Sequence, residues 1–335
     1  MNSSDVQIEI FRVIKNSIPR HLSLVDEIAS VLVLSNDSAY RRIRGEKPLS
    51  LEEIYKLCNH FHLSLDELLG LHSDSFIFRG NLVHTSDFDF DQWLKKLAQN
   101  VKYFTSFKAK KIYFLCKDIP VFYHFHYKEV AAFKHYVWMK GLFNAPELNN
   151  KKFKLSDYPE DLFDLGVNAL RIYNKIDCVE IWNVESINST IRQIDFYHES
   201  GMFENEEEVL IIYESLNKLI NHLNKQADLG HKFLEEEENY TQNGTYQMYF
   251  NEIVLGDNSA VAIFDGSKLG YITHSVINMM STNDVLFCDY LFDSILNLMK
   301  RSTLISSVSE RERLRFFKHL RMRINTRSQH LKPNI

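Results

Sequence analysis

The residue types best suited to binding chemistry are concentrated between residues 35 and 47, which read Ser-Asn-Asp-Ser-Ala-Tyr-Arg-Arg-Ile-Arg-Gly-Glu-Lys. Guanidinium groups form paired hydrogen bonds with phosphates and with guanine edges. In a helix, at about 100° per residue, one face carries Asp37, Ser38, Arg41 and Arg42. The opposite face carries Ala39, Tyr40 and Ile43. We therefore expect a short helix that packs with one side and presents a polar, cationic side to a partner.

Other patterns that could carry chemistry are weak in this chain. The glycine-rich phosphate loops, the Gly-x-Ser-x-Gly nucleophile turn and the His-Glu-x-x-His zinc motif are all absent from the sequence. His124 and His126 would share one face of a predicted strand, and His60 and His62 repeat their spacing. No acid or thiol follows at a matching distance. The sequence therefore predicts no catalytic residues, no metal site and no cofactor.

The segments around residues 35–47 begin like short helices. Three of them start with Ser followed three residues later by an acid, which is the capping-box pattern. These pairs are Ser23 with Asp26, Ser50 with Glu53, and Ser64 with Glu67. An amphipathic first helix precedes them and is expected to end near Pro19. The sequence thus predicts five short helices in a domain covering residues 1–72.

This arrangement resembles the lambda repressor-like, Cro/Xre-type helix-turn-helix family over residues 20–70. The resemblance is carried by residues 37–46, Asp-Ser-Ala-Tyr-Arg-Arg-Ile-Arg-Gly-Glu, and by residues 63–69, Leu-Ser-Leu-Asp-Glu-Leu-Leu. The chain departs from the family in the turn between the two central helices. The usual glycine is missing there, because Val31-Leu32-Val33-Leu34 runs directly into Ser35, and we expect a turn one residue longer.

The resemblance implies that the third helix lies in the major groove of double-stranded DNA. On this basis the residues expected to contact base edges are Asn36, Asp37, Ser38 and Arg41. The residues expected to contact phosphates are Arg42, Arg44 and Lys47. Domains of this type bind as dimers to half-sites about 34 Å apart, so a homodimer is expected.

The favoured function is a sequence-specific DNA-binding transcriptional regulator with a C-terminal sensory and dimerisation region. The sensory region would respond to an unidentified small-molecule or protein effector. Two alternatives stay open at this point. One is an enzyme or signalling module targeted to DNA by a small helix-turn-helix domain. The other is a protein-interaction adaptor whose helix-turn-helix fold does not bind DNA, which the net charge of −3 over residues 1–75 favours.

Composition sets further bounds on the class of protein. The 335 residues are 45% hydrophobic and 25% charged, which is typical of a globular chain of two or three domains. No apolar run is long enough to cross a bilayer, so we expect a cytoplasmic protein without membrane contact. The four cysteines are scattered through apolar stretches and are expected to be reduced core thiols.

The rest of the chain predicts a mainly α fold with mixed α/β structure. We expect a linker at 73–90, a mainly helical regulatory and dimerisation region at 91–234, and an α/β region at 245–335. Strands are predicted at 111–116 and 121–125, and a small antiparallel β meander at 245–255, 260–265 and 268–273. The long helix predicted at 206–233 carries an apolar stripe typical of a core or a dimer seam.

The chain ends in a strongly basic helix. Residues 300–332 hold ten Lys and Arg against two Glu, whereas the whole chain has a net charge of −5. Three interpretations are open for this segment. In the first, the segment contacts the DNA backbone. In the second, it docks on the acidic stretches around Glu204 and Glu235. In the third, it is a solvated basic helix that packs through Leu314, Phe317 and Leu320.

Overall fold

The computed structural model describes residues 3–19, 22–61, 63–65, 76–80, 88–253 and 255–331. The chain divides into an N-terminal unit, residues 1–77, and a C-terminal unit, residues 78–335. The N-terminal unit is helical, and the C-terminal unit combines helices with a sheet. The predicted fold class, mainly α with a later mixed α/β region, is confirmed.

The N-terminal unit contains four described helices. They are α1 Ser3–Ser17, α2 Leu24–Leu32, α3 Asn36–Ile43 and α4 Leu51–His60. The predicted helix starts at Ser23 and Ser50 are confirmed, since each hydroxyl accepts a hydrogen bond from the backbone three residues later. Ser50 and Glu53 complete a reciprocal capping box. Most of the helix predicted at 64–69 lies outside the described residues.

A small apolar core joins these helices. Each helix contributes at least one residue from its apolar face, as the helical spacing predicts. The buried members are Ile10, Phe11, Ile14, Ile28, Ala29, Leu32, Ala39 and Leu57. Because α3 contributes the small side chain of Ala39, it lies close against its neighbours, and most of its surface remains available to solvent.

The C-terminal unit is built on one seven-stranded sheet. Its strands are β1 Lys110–Cys116, β2 Asp177–Trp182, β3 Tyr246–Phe250, β4 Ser259–Phe264, β5 Ser267–Thr273, β6 Met279–Thr282 and β7 Thr303–Leu304. Their order across the sheet is β6-β5-β4-β1-β2-β3-β7. The ranges 91–234 and 245–335, which the sequence separates, therefore supply neighbouring strands of the same sheet.

The antiparallel meander consists of β4, β5 and β6. The prediction that residues 245–255 form its first strand is wrong, because β3 pairs in parallel with β2 and Tyr246 lies opposite Cys178. The chain reaches β3 through a long helical connection, and a parallel pair requires such a crossover. β3 therefore extends the other half of the sheet.

Seven α-helices lie beside the sheet in the described part of this unit. They are α5 Phe90–Thr105, α6 Lys128–Val137, α7 Glu160–Tyr173, α8 Asn188–Glu199, α9 Glu207–Leu229, α10 Val285–Lys300 and α11 Glu310–His330. α10 covers one face, where Ile295 packs with Leu115, Ile181 and Val261. The apolar stripe of α9 is buried with the main core on the other face. Of the two expectations for that stripe, the structure shows the core.

Residues 121–125 form no strand, contrary to the sequence prediction. They lie in a 3₁₀ helix, Val121–His126, which starts with a hydrogen bond of 2.9 Å from the Tyr123 amide to the Pro120 carbonyl. The four consecutive side chains from Phe122 to Phe125 are all buried. A strand would turn every second side chain to the opposite face, so aromatic content was misleading here.

A buried carboxylate organises the centre of the C-terminal unit. Glu180 on β2 is fully buried, and it accepts hydrogen bonds from Tyr123 at 2.6 Å, Tyr246 at 2.8 Å, Trp182 at 2.7 Å and Tyr173 at 3.1 Å. Each of these buried donors thereby has a hydrogen-bond partner, as buried polar groups require. This network ties β2 to β3, to α7 and to the 3₁₀ helix.

The first described residues of the C-terminal unit are attached to the sheet. Arg79 and Ser281 exchange two backbone hydrogen bonds of 2.7 and 2.8 Å, so residues 78–80 lie along β6. These residues belong to the range 73–90 that the sequence predicts as a linker. Arg79 is thus paired with the edge strand of the sheet.

The cysteines and the apolar character of the helices were the two features predicted from composition. Cys116, Cys178 and Cys288 are buried and Cys58 is half-buried, and none of the four forms a disulfide. Among the described helices, none has the length and apolar character needed to cross a membrane.

Candidate nucleic-acid interface

The turn before α3 sets the direction of that helix. Val33 takes the left-handed backbone conformation, with φ 56° and ψ 55°, and its side chain is 86% exposed. The Leu34 amide returns a hydrogen bond of 2.9 Å to the Ala29 carbonyl. This conformation favours glycine and is costly for a β-branched residue. Val33 therefore occupies, under strain, the conformation that the missing glycine would adopt readily.

The N-terminal half of α3 presents polar side chains to solvent. Asn36 and Asp37 are exposed and Ser38 is half-buried, while Ser35 caps the helix. The Asn36 amide group also donates a hydrogen bond of 2.9 Å to Asp26 on α2. Arg41 lies on the same exposed side, with 55% of its side chain accessible. Of the four residues predicted to contact bases, Asn36, Asp37 and Arg41 are therefore exposed and Ser38 is only partly accessible.

Tyr40 lies on the exposed surface, although the sequence places it on the packing side. It is 44% exposed, its ring lies 4.4 Å below the Arg44 guanidinium, and its hydroxyl accepts a hydrogen bond of 2.8 Å from Arg44. On the side that packs, α3 instead contributes Ala39 and Ile43 to the core. The pair forms a stacked aromatic and cationic surface. Its signal in the sequence was the four-residue spacing of Tyr and Arg on one helix.

Arg42 is buried. The prediction that it lies on the exposed side of α3 and contacts phosphates is therefore wrong. The side chain is 5% exposed, and its Nη2 lies 2.6 Å from a Glu53 carboxylate oxygen. Its Nη1 donates a further hydrogen bond of 3.1 Å to the Ser38 carbonyl. A helical wheel of α3 alone cannot show that α4 places an acid opposite this position. Arg42 holds α3 against α4.

The ionisation of Glu53 is linked to this contact. Burial raises the pKa of Glu53, but the hydrogen bonds from Arg42 and from the Ser50 amide, with the charges of Arg42 and Lys47, outweigh it, and the pKa is lowered overall. The ionised carboxylate is therefore the stable form in the folded unit. The same group completes the capping box of α4.

Gln7 is a positioning residue that sequence reasoning missed. It is buried, and its amide nitrogen donates hydrogen bonds of 2.6 Å to the Arg42 carbonyl and 2.8 Å to the Lys47 carbonyl. Its carbonyl oxygen accepts one of 2.9 Å from the Leu49 amide. A lone polar residue in an amphipathic helix gives no signal for this role. Gln7 fixes the end of α3 and the turn that follows.

The exposed surface of α3 and its following turn carries both signs of charge. Arg41, Arg44 and Lys47 are exposed cations, and Asp37 and Glu46 are exposed acids. Glu46 lies 3.8 Å from Arg41 and 3.7 Å from Arg44. A phosphate group approaching this surface therefore competes with Glu46 for the same guanidinium groups.

The N-terminal unit is similar to a known family of domains. Residues 18–81 match the family model of the BetR domain. The BetR domain is a helix-turn-helix-type DNA-binding domain, and the match indicates a DNA-binding regulatory role for this part of the chain. No curated protein and no solved structure matched the chain.

The basic terminal helix lies outside the residues of the BetR match. In the C-terminal unit, α11 directs several cations to the helices beneath it. Arg313 pairs with Asp228 at 2.5 Å, and Arg327 lies 3.5 Å from Asp195. These two acids lie on α9 and α8, and Arg315 lies 3.5 Å from Glu252 after β3. Among the described ion pairs, α11 meets none of the acids around Glu204 and Glu235. Phe317 and Leu320 are buried as predicted, whereas Leu314 is 47% exposed.

The histidines at 124 and 126 were the candidate metal ligands in the sequence. Among the described residues, no group of three His, Cys, Asp or Glu side chains is arranged to hold a metal ion. His124 and His126 lie in the 3₁₀ helix, and burial lowers both pKa values well below the usual range. These histidines are neutral side chains of the core.

Proposed function

We propose that this chain is a sequence-specific DNA-binding transcriptional regulator. Its BetR domain binds double-stranded DNA through α3, and the chain acts as a homodimer. The C-terminal unit provides the dimer contacts and the response to a small-molecule or protein effector. The observation that carries the proposal is the exposed polar side of α3 within a domain that matches a DNA-binding family.

The roles of individual residues follow from their exposure. In this proposal Arg41 contacts a base edge, with Asn36, Asp37 and Ser38 beside it in the first turn. A paired contact from arginine to guanine contributes about 1–3 kcal/mol of discrimination. Arg44 and Lys47 contact phosphates, which fix the position of the domain and supply affinity without reading sequence.

The proposal is tested by selecting bound duplexes from a random pool with the full-length protein. We expect enrichment of a two-fold symmetric motif whose half-sites are about 34 Å apart. The variant R41A/R44A should fail to enrich it. The matched control R12A/K56A removes two cations from exposed positions outside α3 and should enrich the same motif. A wild-type pool without any enriched motif would contradict the proposal.

A second candidate is a protein-interaction domain, and one observation favours it. Asp37 and Glu46 place acids on the same surface as the arginines, and residues 1–75 have a net charge of −3. DNA binding and protein binding differ in their salt dependence. Each neutralised phosphate contributes a slope of about −0.9 to the logarithmic dependence of DNA affinity on salt. A binding constant insensitive to salt would favour the second candidate.

A further inference from the structure

A cavity of about 240 Å³ lies inside the C-terminal unit, between the sheet and α5. Two small side chains create the space. Ala260 and Ala262 on β4 face the cavity, and in the sheet they lie opposite Phe114 and Ile112 of β1. Larger residues at these two positions would fill the gap between sheet and helix.

The walls of the cavity contain several aromatic rings. The aromatic lining residues include Trp93, Phe104, Phe114, Phe122, Trp138 and Tyr271. An apolar cavity of about 150 Å³ is large enough for benzene. The larger volume here accommodates one aromatic ring or two fused rings. Such a surface favours molecules with a planar apolar body that carry a small number of polar groups, because polar lining residues such as Asn100, Asp118 and Asn258 lie among the apolar ones.

Two buried polar side chains in the wall lack hydrogen-bond partners. Within the part of the chain that the structure describes, the ring nitrogens of His124 and Trp138 make no hydrogen bond. Their side chains are 2% and 3% exposed, and their ring centroids are 5.5 Å apart. Burial, with a smaller effect from the Lys134 charge, lowers the pKa of His124. His124 is therefore neutral and has one donor and one acceptor.

Unpartnered buried polar groups are costly, and a ligand can supply what they lack. A hydroxyl group both accepts and donates a hydrogen bond, so it matches the indole N–H and the neutral imidazole. The wall also includes a π-helical turn, Trp138–Leu142, of a kind frequent at functional sites. We propose that this cavity binds a small planar aromatic compound of one or two rings that carries a hydroxyl group.

The cavity is connected to the start of the C-terminal unit. Asn278, in the turn between β5 and β6, lines the cavity and accepts a hydrogen bond of 3.2 Å from the Trp93 indole. β6 follows directly and pairs with Arg79 in the segment that continues from the N-terminal unit. A role for this ligand as the effector rests on the proposed function, whereas binding of the ligand does not.

The test uses the full-length protein labelled with fluorotryptophan, because the chain has three tryptophans. Trp93 and Trp138 line the cavity, and Trp182 lies in the Glu180 network. The probes are 2-naphthol and naphthalene, which share a ring system and differ in the hydroxyl. We expect 2-naphthol to shift the fluorine signals of Trp93 and Trp138 and to leave that of Trp182 unchanged.

Two pairs of comparisons separate shape from hydrogen bonding. A262L should abolish binding of both probes by filling the cavity, and A109L, the same change at an exposed position before β1, should bind normally. The hydroxyl should make 2-naphthol bind about 10-fold more tightly than naphthalene, and W138F should reduce this ratio of the two affinities.

Three results would overturn the proposal. They are the absence of 2-naphthol binding to the wild type, binding without a shift at Trp93 and Trp138, and equal affinity for the two probes. The Trp182 signal reports whether each variant is folded, and the comparison of probes on the wild type needs no variant. DNA affinity measured on the same samples shows separately whether the proposed function holds.

Discussion

The contact between Arg42 and Glu53 gives the sharpest prediction about the stability of the N-terminal unit. R42M keeps the aliphatic volume of the side chain and removes its charge, leaving Glu53 without its partner. Deleting one member of a fully buried ion pair costs about 3–5 kcal/mol. The Glu53 side chain is 17% exposed, so partial solvation reduces the loss, and we expect about 2–3 kcal/mol for this pair.

The assay is hydrogen exchange of the α3 and α4 amides in the full-length protein. Tryptophan fluorescence cannot report on this unit, because all three tryptophans lie beyond residue 90. The double variant R42M/E53Q should lose less free energy than the sum of the single variants, since it leaves no unpaired charge. Additive losses would refute the pairing. So would an R42M protein with normal exchange and weakened DNA binding.

The same pair predicts a pH dependence. The pKa of Glu53 is lowered in the folded unit relative to its usual value of 4.5. Its contribution to stability is therefore complete above that value and is lost as the pH falls through the lower folded pKa. Exchange of the α4 amides should accelerate over this acidic range in the wild type. In E53Q the acceleration should be smaller.

Three further substitutions have defined outcomes. V33G relieves the left-handed strain before α3 and should stabilise the N-terminal unit by about 1 kcal/mol, seen as slower exchange in α2 and α3; faster exchange would contradict the strain. E180A removes the acceptor of four buried donors, of which only Tyr173 keeps another contact, to the Cys178 sulfur, and should destabilise the C-terminal unit by more than about 4 kcal/mol, measured by urea unfolding followed with tryptophan fluorescence. G166A places a methyl group 2.0 Å from the Phe125 ring and should cost about 2–3 kcal/mol in the same assay; an unchanged midpoint would show that the ring moves freely.

Local signals in the sequence predicted local structure well. The serines at 23 and 50 mark helix starts, because a side-chain oxygen that caps a helix acts only on the next three residues. The apolar spacing of α9 and the basic character of α11 likewise depend on one element at a time. The exposure of Asn36, Asp37 and Arg41 was also predicted from α3 alone, since none of these side chains has a buried partner on another helix.

Errors in the sequence predictions arose where a second element decides the outcome. Arg42 is buried because α4 offers Glu53, and no property of α3 contains that information. β3 lies parallel to β2 because the chain returns through a helical connection, which alternation within 246–250 does not encode. The cavity depends on Ala260 and Ala262 lying opposite a helix. Pairing between distant segments is therefore the missing information in each case.

The central claim is that the exposed side of α3 reads DNA, and a titration of the selected duplex tests it most directly. Wild type, R41A and K47A are compared on the preferred sequence and on each single-base change. We predict that R41A loses about 10-fold in affinity and no longer discriminates at one position, whereas K47A weakens binding to all sequences equally. R41A with unchanged affinity and unchanged discrimination at every position would contradict the claim.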